Sequence, residues 1–184
     1  SFHSSTVAQY VFTAMNKSYS YPWFHNGMVS VFSDIDVKAK GKYEVVFDRD
    51  REKNIQQRGL DGINGKFAKH VGDIIKITHE DINRSRQWSS YNDTLWAFFY
   101  FLVKGAPVVK GQEGYAEIPS KFCTAFIKNK YDAKKATQEA FAGVDMNKLD
   151  KDMRDFWNNK NLVGKSRTYT PKPIIVTLPD SEEK

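Results

Sequence analysis

The residues best suited to bind a metal or to transfer a proton near neutral pH are the four histidines, His3, His25, His70 and His79. A zinc site needs three or four converging ligands, and two histidines close together on one helical or strand face usually supply two of them. These histidines are spread along the chain and form no such pair. The sequence therefore predicts no metal site and no cofactor.

The triplet His79-Glu80-Asp81 could supply a local acid or base, because imidazole and carboxylate groups are the usual general acid-base catalysts. It follows the β-branched run from Ile74 to Ile77, which is typical of a strand. A polar strand end that turns into a loop explains the triplet without any chemistry. We therefore predict no catalytic role for it.

Asp34 and Asp36 stand two residues apart, the spacing at which two carboxylates on one strand face can hold a divalent cation. The apolar residues of the same stretch, including Val31, Ile35 and Val37, occupy the odd-numbered positions. If the odd positions face the core, the aspartates face solvent. The pattern favours a solvent-exposed hairpin face over a cation site.

Gly59, Gly62 and Gly65, followed by Lys66, invite comparison with phosphate-binding loops, in which glycine lets backbone amides approach an anion. Their spacing matches neither the dinucleotide-binding nor the triphosphatase pattern, so we interpret them as an ordinary loop. The single cysteine, Cys123, lies in an apolar run and is interpreted as a core residue. A G-x-S-x-G nucleophile turn is absent, and we predict no catalytic residues.

The chain is basic, with 28 Lys and Arg against 22 Asp and Glu and a formal charge of +6, but the two signs alternate along most of it. A basic surface permits an anionic partner such as nucleic acid. Because acidic residues interrupt the basic ones, a solvated mixed surface is the favoured interpretation, and nucleic-acid binding is the alternative. The cations that would then contact phosphates are Lys42, Arg49, Arg51, Arg58, Lys66 and Lys69.

Alternating apolar residues predict an antiparallel sheet of about three or four strands in the N-terminal half of the chain. From Val29 to Phe47 the apolar period is two, and Lys40-Gly41 provides a turn between the strands of a hairpin. The β-branched run from Val71 to Ile77 predicts a further strand. A short helix over residues 4–14 precedes the sheet, and the charged, glycine-rich residues 48–65 predict a loop.

The stretch from Thr94 to Val103 is apolar on every side and predicts a helix that hides its whole surface. It is far shorter than the roughly 20 residues that span a bilayer, so a central core helix is the favoured interpretation. Contact with a membrane or with a partner protein stays open, since Trp88 and Tyr91 are types that anchor at membrane interfaces. The side chains that would contact a partner are Trp96, Phe98, Phe99 and Phe101.

The last third of the chain is helical in pattern up to Gly164, after which prolines predict an extended arm. Within residues 146–157 three oppositely charged pairs stand four residues apart, which stabilises a helix in water. These pairs are Lys148 with Asp152, Asp150 with Arg154 and Lys151 with Asp155. In the arm, Ile174, Ile175 and Val176 form a short apolar run that could add a strand to its own sheet or to a partner's sheet.

These patterns predict a single α+β domain over residues 1–164, with helices in its C-terminal half, and an extended C-terminal arm over residues 165–184. Because no catalytic constellation is visible and two apolar segments offer contact surface, we expect a non-catalytic structural or accessory subunit of a larger assembly. Its partners would be other protein subunits, and a membrane-associated complex with membrane-surface contact is compatible with the sequence. The alternatives are an RNA- or DNA-binding module, such as a ribosomal component, and an enzyme whose site the sequence does not reveal.

The first 33 residues contain several serines, no acidic residue and only one basic residue, Lys17. A serine-rich, acid-poor composition is typical of organellar targeting segments, although these usually contain arginine and this stretch has none. A single cysteine excludes an intrachain disulfide and is consistent with a reducing compartment. We therefore expect a mitochondrial location, with the cytoplasm as the alternative.

Overall fold

In the computed structural model the described residues are 21–32, 35–38, 42–45, 48–63, 70–85, 88–172, 174–175 and 177. Over this part the chain is mainly helical. The helix predicted over residues 4–14 lies outside the described residues. The helices and strands are α1 (Pro22–Phe32), β1 (Ile35–Lys38), β2 (Lys42–Val45), α2 (Arg49–Ile63), α3 (Val71–Ile74), α4 (His79–Ser85), α5 (Trp88–Tyr100), α6 (Ile118–Lys128), α7 (Ala133–Ala140), α8 (Met146–Asn158) and α9 (Lys160–Arg167).

The predicted α+β fold with an antiparallel sheet of three or four strands is wrong. In the described part of the chain, the strands form a single short antiparallel hairpin in which Ile35 lies opposite Val45. Val29 and Val31, which the alternating pattern assigned to the first strand, belong to α1. The helix is favoured because the buried residues of α1 recur at helical spacing from Trp23 to Val31, which a window starting at Val29 does not include.

The run predicted as a further strand, Val71 to Ile77, is helix α3 followed by a turn. Val71, Ile74 and Ile75 are all buried, and their spacing of three and four residues is that of one helical face. A short β-branched run is ambiguous between strand and helix, and packing decided it here. As a consequence His79-Glu80-Asp81 is not a strand end. It is the first turn of α4, where Asp81 accepts a hydrogen bond from the Thr78 amide at 2.9 Å.

The charged residues predicted as a loop form helix α2 instead. The Asp48 side chain accepts hydrogen bonds from the amides of Asp50 and Arg51, each at 3.0 Å, and so satisfies two of the free donors at the helix start. Ile55 is buried on the inner side of the helix. At Gly59 the backbone has φ 69°, a conformation that favours glycine, and the helix is kinked there.

Helix α5 is the centre of the hydrophobic core. Every side chain from Leu95 to Leu102 is at most 1% exposed, as the apolar composition of this stretch predicted for a core helix. α1 crosses it closely, because a Cβ built on Gly27 would lie 2.8 Å from the Cβ of Phe99. On another side Trp157 of α8 donates from Nε1 to the Ala97 carbonyl at 3.2 Å.

The end of α5 widens into a π-helical turn, Phe101–Gly105, and then a 3₁₀ turn, Ala106–Val108. The turn places Lys104 in the core at 1% exposure, although a basic residue at the last turn of a helix is normally solvent-exposed. A second 3₁₀ segment, Glu113–Glu117, leads into α6.

Helices α6 and α7 form a hairpin against α1, where the Trp23 ring contacts Phe122 and Phe141 edge to face, with centroids 5.0 and 5.2 Å apart. α9 continues to Arg167, so the predicted boundary at residue 164 falls inside a helix, and the extended segment begins after it. Within the described residues, none of the helices combines the length and apolar character needed to cross a bilayer.

Candidate partner-binding surface

The four aromatic residues of α5 and the π-helical turn that were expected to contact a partner are core residues. Trp96, Phe98, Phe99 and Phe101 are each at most 1% exposed. Trp96 stacks on Tyr100 with ring centroids 4.9 Å apart, so its face is already covered within the fold. In this conformation the side chains are covered by the fold itself.

The described part of the arm differs from α5 in this respect. Ile175 is 67% exposed and is the most exposed large hydrophobic side chain among the described residues. Its neighbour Ile174 is partly buried against the core. Val176, the third apolar residue predicted for contact, lies outside the described residues. The arm therefore turns one isoleucine inward and one outward.

Two hydrogen bonds attach the arm to α6. The amide of Ile175 donates to Ser120 Oγ and the amide of Thr177 donates to Thr124 Oγ1, both at 3.2 Å. Two residues of extended chain span about 6.6 Å, and four residues of helix rise about 6 Å. Because these lengths match, the arm lies extended along α6 and runs in the same direction.

We call Ser120, Lys121, Thr124, Ile175 and Thr177 the arm–α6 surface. Lys121 is exposed on it and forms an ion pair with Glu117 at 3.1 Å. Because alternate residues of an extended chain direct their amides to opposite edges, the edge of the arm that faces α6 uses the amides of residues 175 and 177.

Beyond the C-terminal end of α6, the turn into α7 holds two consecutive residues in the left-handed conformation, Lys130 at φ 54° and Tyr131 at φ 69°. For residues other than glycine each such conformation costs about 1 to 2 kcal/mol. The Tyr131 amide donates to the Phe126 carbonyl at 2.7 Å, which holds the turn closed. The result is that Tyr131 is 42% exposed while its ring edge still contacts Phe126.

The cations predicted for nucleic-acid contact are only partly described, since Lys66 and Lys69 lie outside the described residues and of Lys42 only the backbone is described. The arginines of α2 have acidic or amide neighbours. Arg49 lies 3.6 Å from Glu52, and Arg51 lies 3.2 Å from Asp48 and 3.8 Å from Asp93. Arg58 donates to Asn54 Oδ1 at 3.4 Å. A phosphate would have to compete with these contacts.

A buried polar cluster that the sequence did not reveal joins α2, the last residue of α5, the π-helical turn and α9. Arg167 forms an ion pair with Glu52, which is 5% exposed, and Lys104 Nζ donates to the Arg167 carbonyl at 3.2 Å. Tyr100 exchanges a hydrogen bond with Ser166 Oγ at 3.1 Å. Burial raises the pKa of Tyr100, so its hydroxyl keeps its proton and cannot act as a base at neutral pH. The cluster links four elements of the fold through polar contacts.

Tyr115, Lys148 and Cys123 also have raised pKa values, which favour their protonated forms. Tyr115 donates to Asp152 at 2.9 Å and Lys148 donates to the same carboxylate at 2.5 Å. Burial and then the bond to Asp152 raise the pKa of Tyr115, and the bond to Asp152 raises the pKa of Lys148. Burial raises the pKa of Cys123 to about 12, so this thiol is a core residue rather than a nucleophile.

His25 and His79 meet edge to face, with ring centroids 5.9 Å apart. Burial lowers the pKa of His25, and the neighbouring His79 lowers it slightly further. The hydrogen bond to Asn26 acts in the opposite direction but does not outweigh them. Among the described residues, histidine, cysteine and carboxylate side chains do not gather in groups of three or more that could hold a metal ion.

Comparison with protein-family models, with curated proteins and with solved structures finds no significant match for this chain. Its function therefore has to be inferred from its own surface.

Proposed function

We propose that the protein is a non-catalytic accessory subunit of a larger assembly and that it binds a partner protein through the arm–α6 surface. The observation that carries this proposal is Ile175, an isoleucine left 67% exposed on an extended segment. Removing an isoleucine side chain from water is favourable by about 1.5 to 3 kcal/mol. Because Ile175 stays mostly exposed in the isolated fold, most of this free energy is still available for binding a partner.

Two features support a protein partner over a free surface loop. The arm is held extended by hydroxyls of Ser120 and Thr124, so little chain entropy remains to be lost when a partner binds. An extended segment is also the conformation used in strand addition between proteins.

The nucleic-acid alternative has less support, because Arg49 and Arg51 have acidic neighbours within 4 Å. Phosphate binding requires cations that are free to replace the counterions of the nucleic acid. The mitochondrial location stays a prediction and is checked by fractionation of cells that express the tagged protein.

The test of the proposal is the substitution Ile175→Asp, with Ile175→Leu as the matched control. The tagged wild-type protein is purified from its own cells and its mass measured by light scattering, alone and with each partner that co-purifies. We expect Ile175→Asp to weaken the complex about tenfold or more, because a charge replaces an apolar contact, while Ile175→Leu retains it.

Circular dichroism should show that all three proteins are folded, since residue 175 is exposed and contributes little to the core. The proposal fails if the Ile175→Asp protein retains the same partners with the same affinity, or if the wild-type protein is a monomer with no stable partner.

A further inference from the structure

The arm–α6 surface continues along α6 into a group of exposed lysines. Lys128, in the last turn of α6, follows Thr124 by four residues, so the two share one face of the helix. Further exposed residues follow in the turn after α6 and in the first turn of α7. We call Lys128, Lys130, Tyr131, Lys134 and Lys135, all of which are exposed, the α6–α7 patch.

The patch is basic because few acidic residues accompany its lysines and both of these already have contacts. Residues 118–140 contain five lysines and two acidic residues, a net charge of +3, which is half of the +6 of the whole chain. The side chain of Asp132 caps α7. Glu139 accepts from Asn129 at 2.9 Å and from Lys128 at 3.3 Å, and these bonds lower its pKa. The patch therefore has an excess of positive charge that acidic groups of a partner would complement.

Apolar side chains accompany this charge. Among the described residues, the exposed large hydrophobic side chains are Tyr131, in the patch, and Ile175, on the arm. The amide of Ile175 donates to Ser120, and Lys128 lies two turns further along α6, a rise of about 12 Å. Extended chain rises about 3.3 Å per residue, so a segment of about five residues is long enough to contact both Ile175 and the patch.

We infer that the partner segment bound at the arm–α6 surface is acidic and carries an apolar side chain. The apolar side chain packs on Ile175, and carboxylates of the segment pair with lysines of the α6–α7 patch. This inference rests on the proposed function and adds the chemistry of the partner. A single-stranded nucleic acid fits less well, because its bases bind proteins by stacking on rings and Ile175 is aliphatic.

The first experiment measures binding of a fluorescent peptide to the full chain by anisotropy at about 0.05 M salt, where exposed charges are screened little. The peptide has about ten residues, enough to span the surface, and alternates leucine with glutamate. A peptide with glutamine in place of glutamate and an oligothymidylate of equal length are the comparison probes. We expect saturable binding of the glutamate peptide with a dissociation constant of about 100 μM or tighter, and binding of the glutamine peptide about fivefold weaker.

Three results of this experiment overturn the inference. They are no saturable binding of the glutamate peptide, equal binding of the glutamine peptide, and tighter binding of the oligothymidylate. The last of these would assign the patch to a nucleic acid.

The second experiment reverses the charge of two lysines of the patch. Lys130→Glu/Lys135→Glu should weaken binding of the glutamate peptide about tenfold, because repulsion replaces attraction at both positions. Lys110→Glu/Lys160→Glu, at exposed positions outside the patch, gives the same net charge and should change the affinity less than about twofold. Both proteins should melt like the wild type, since all four positions are exposed. Equal weakening by the two variants overturns the inference, because total charge would then explain the binding.

A third variant, Ile175→Asn, separates the inference from the proposed function, because it removes the apolar contact without adding a charge. Weaker binding of the glutamate peptide to both Ile175→Asn and Lys130→Glu/Lys135→Glu supports the two together. If Ile175→Asn alone binds more weakly, the arm–α6 surface remains a binding site and the inference is overturned. If the lysine variant alone binds more weakly, the acidic chemistry of the partner is supported and the role of Ile175 in the proposed function is overturned.

Discussion

Gly27 is the residue at which α1 and α5 come closest. A Cβ at this position would lie 2.8 Å from the Phe99 Cβ and 3.0 Å from the Leu95 carbonyl oxygen. The second of these atoms belongs to the backbone of a buried helix and cannot move aside without shifting α5. The absence of a side chain at residue 27 is therefore a packing requirement.

We expect Gly27→Ala to lower the free energy of unfolding by about 1 to 3 kcal/mol, the usual cost of overpacking a core. Gly164→Ala is the matched control, because a Cβ on Gly164 in α9 would meet nothing within 4 Å. Alanine there should be neutral or stabilising by about 0.5 to 1 kcal/mol, since it favours the helix. Urea unfolding of the three proteins measures both values. Equal stabilities for the two variants would contradict the packing argument.

At the scale of elements, the docking of the arm on α6 depends on two side-chain hydroxyls rather than on a sheet. Ser120 and Thr124 are half-buried and accept the amides of Ile175 and Thr177. The sequence predicted an extended arm but left open whether it would pair with its own sheet. The described part of the fold has the short β1–β2 hairpin in place of the predicted sheet of three or four strands, and the arm lies along α6 instead.

The double substitution Ser120→Ala/Thr124→Val removes both hydroxyls and keeps the surface otherwise similar. We expect hydrogen exchange at the amides of residues 175 and 177 to become about five- to tenfold faster, because each lost bond contributes about 1 kcal/mol. Global stability should change little, since the arm adds few core contacts. Ser120→Thr, which retains the hydroxyl, is the control. Unchanged exchange at both amides would show that the arm is held by something else.

At the scale of the whole molecule, Asp150 connects α8 to the start of α3. Its carboxylate accepts from the Val71 amide at 3.0 Å, from His70 at 3.1 Å and from Arg154 at 2.9 Å. Burial by itself acts to raise the pKa of Asp150, but the bonds from Arg154, His70 and the Val71 amide outweigh it and lower the pKa. A carboxyl group with a lowered pKa stabilises the fold above its unfolded pKa of about 3.9. That contribution is lost as the pH falls through the folded value.

We therefore expect Asp150→Asn to lower the free energy of unfolding by about 1.5 to 3 kcal/mol at pH 7. The difference from the wild type should shrink as the pH falls below about 3.9, because the unfolded wild-type carboxyl is protonated there while the folded one is protonated only at lower pH. Asp155→Asn, which breaks only the exposed pair with Lys151, should cost less than about 1 kcal/mol. Urea unfolding at pH 7 and at acid pH measures both. A loss that is independent of pH would contradict the ionic origin.

The local features of this protein could be predicted from its sequence because neighbours along the chain determine them. The three oppositely charged pairs of α8 were predicted from a spacing of four residues, and all three form. The apolar stretch around Phe98 was predicted as a core helix, and the structure buries it completely. Cys123 was likewise predicted and found in the core. A helix repeats every 3.6 residues, so such patterns need no knowledge of the rest of the chain.

The tertiary structure alone decided the fold class and the position of every candidate surface. The stretches predicted as strands around Val31 and from Val71 to Ile77 are short enough to fit a strand or a helix, and contacts with distant helices selected the helix. Lys104 became a core residue because a π-helical turn directs it toward Arg167, 63 residues away along the chain. The exposed position of Ile175 depends in the same way on α6, because its amide donates to Ser120, 55 residues away along the chain. Periodicity records which side of an element is apolar, but which element covers that side depends on contacts between distant parts of the chain.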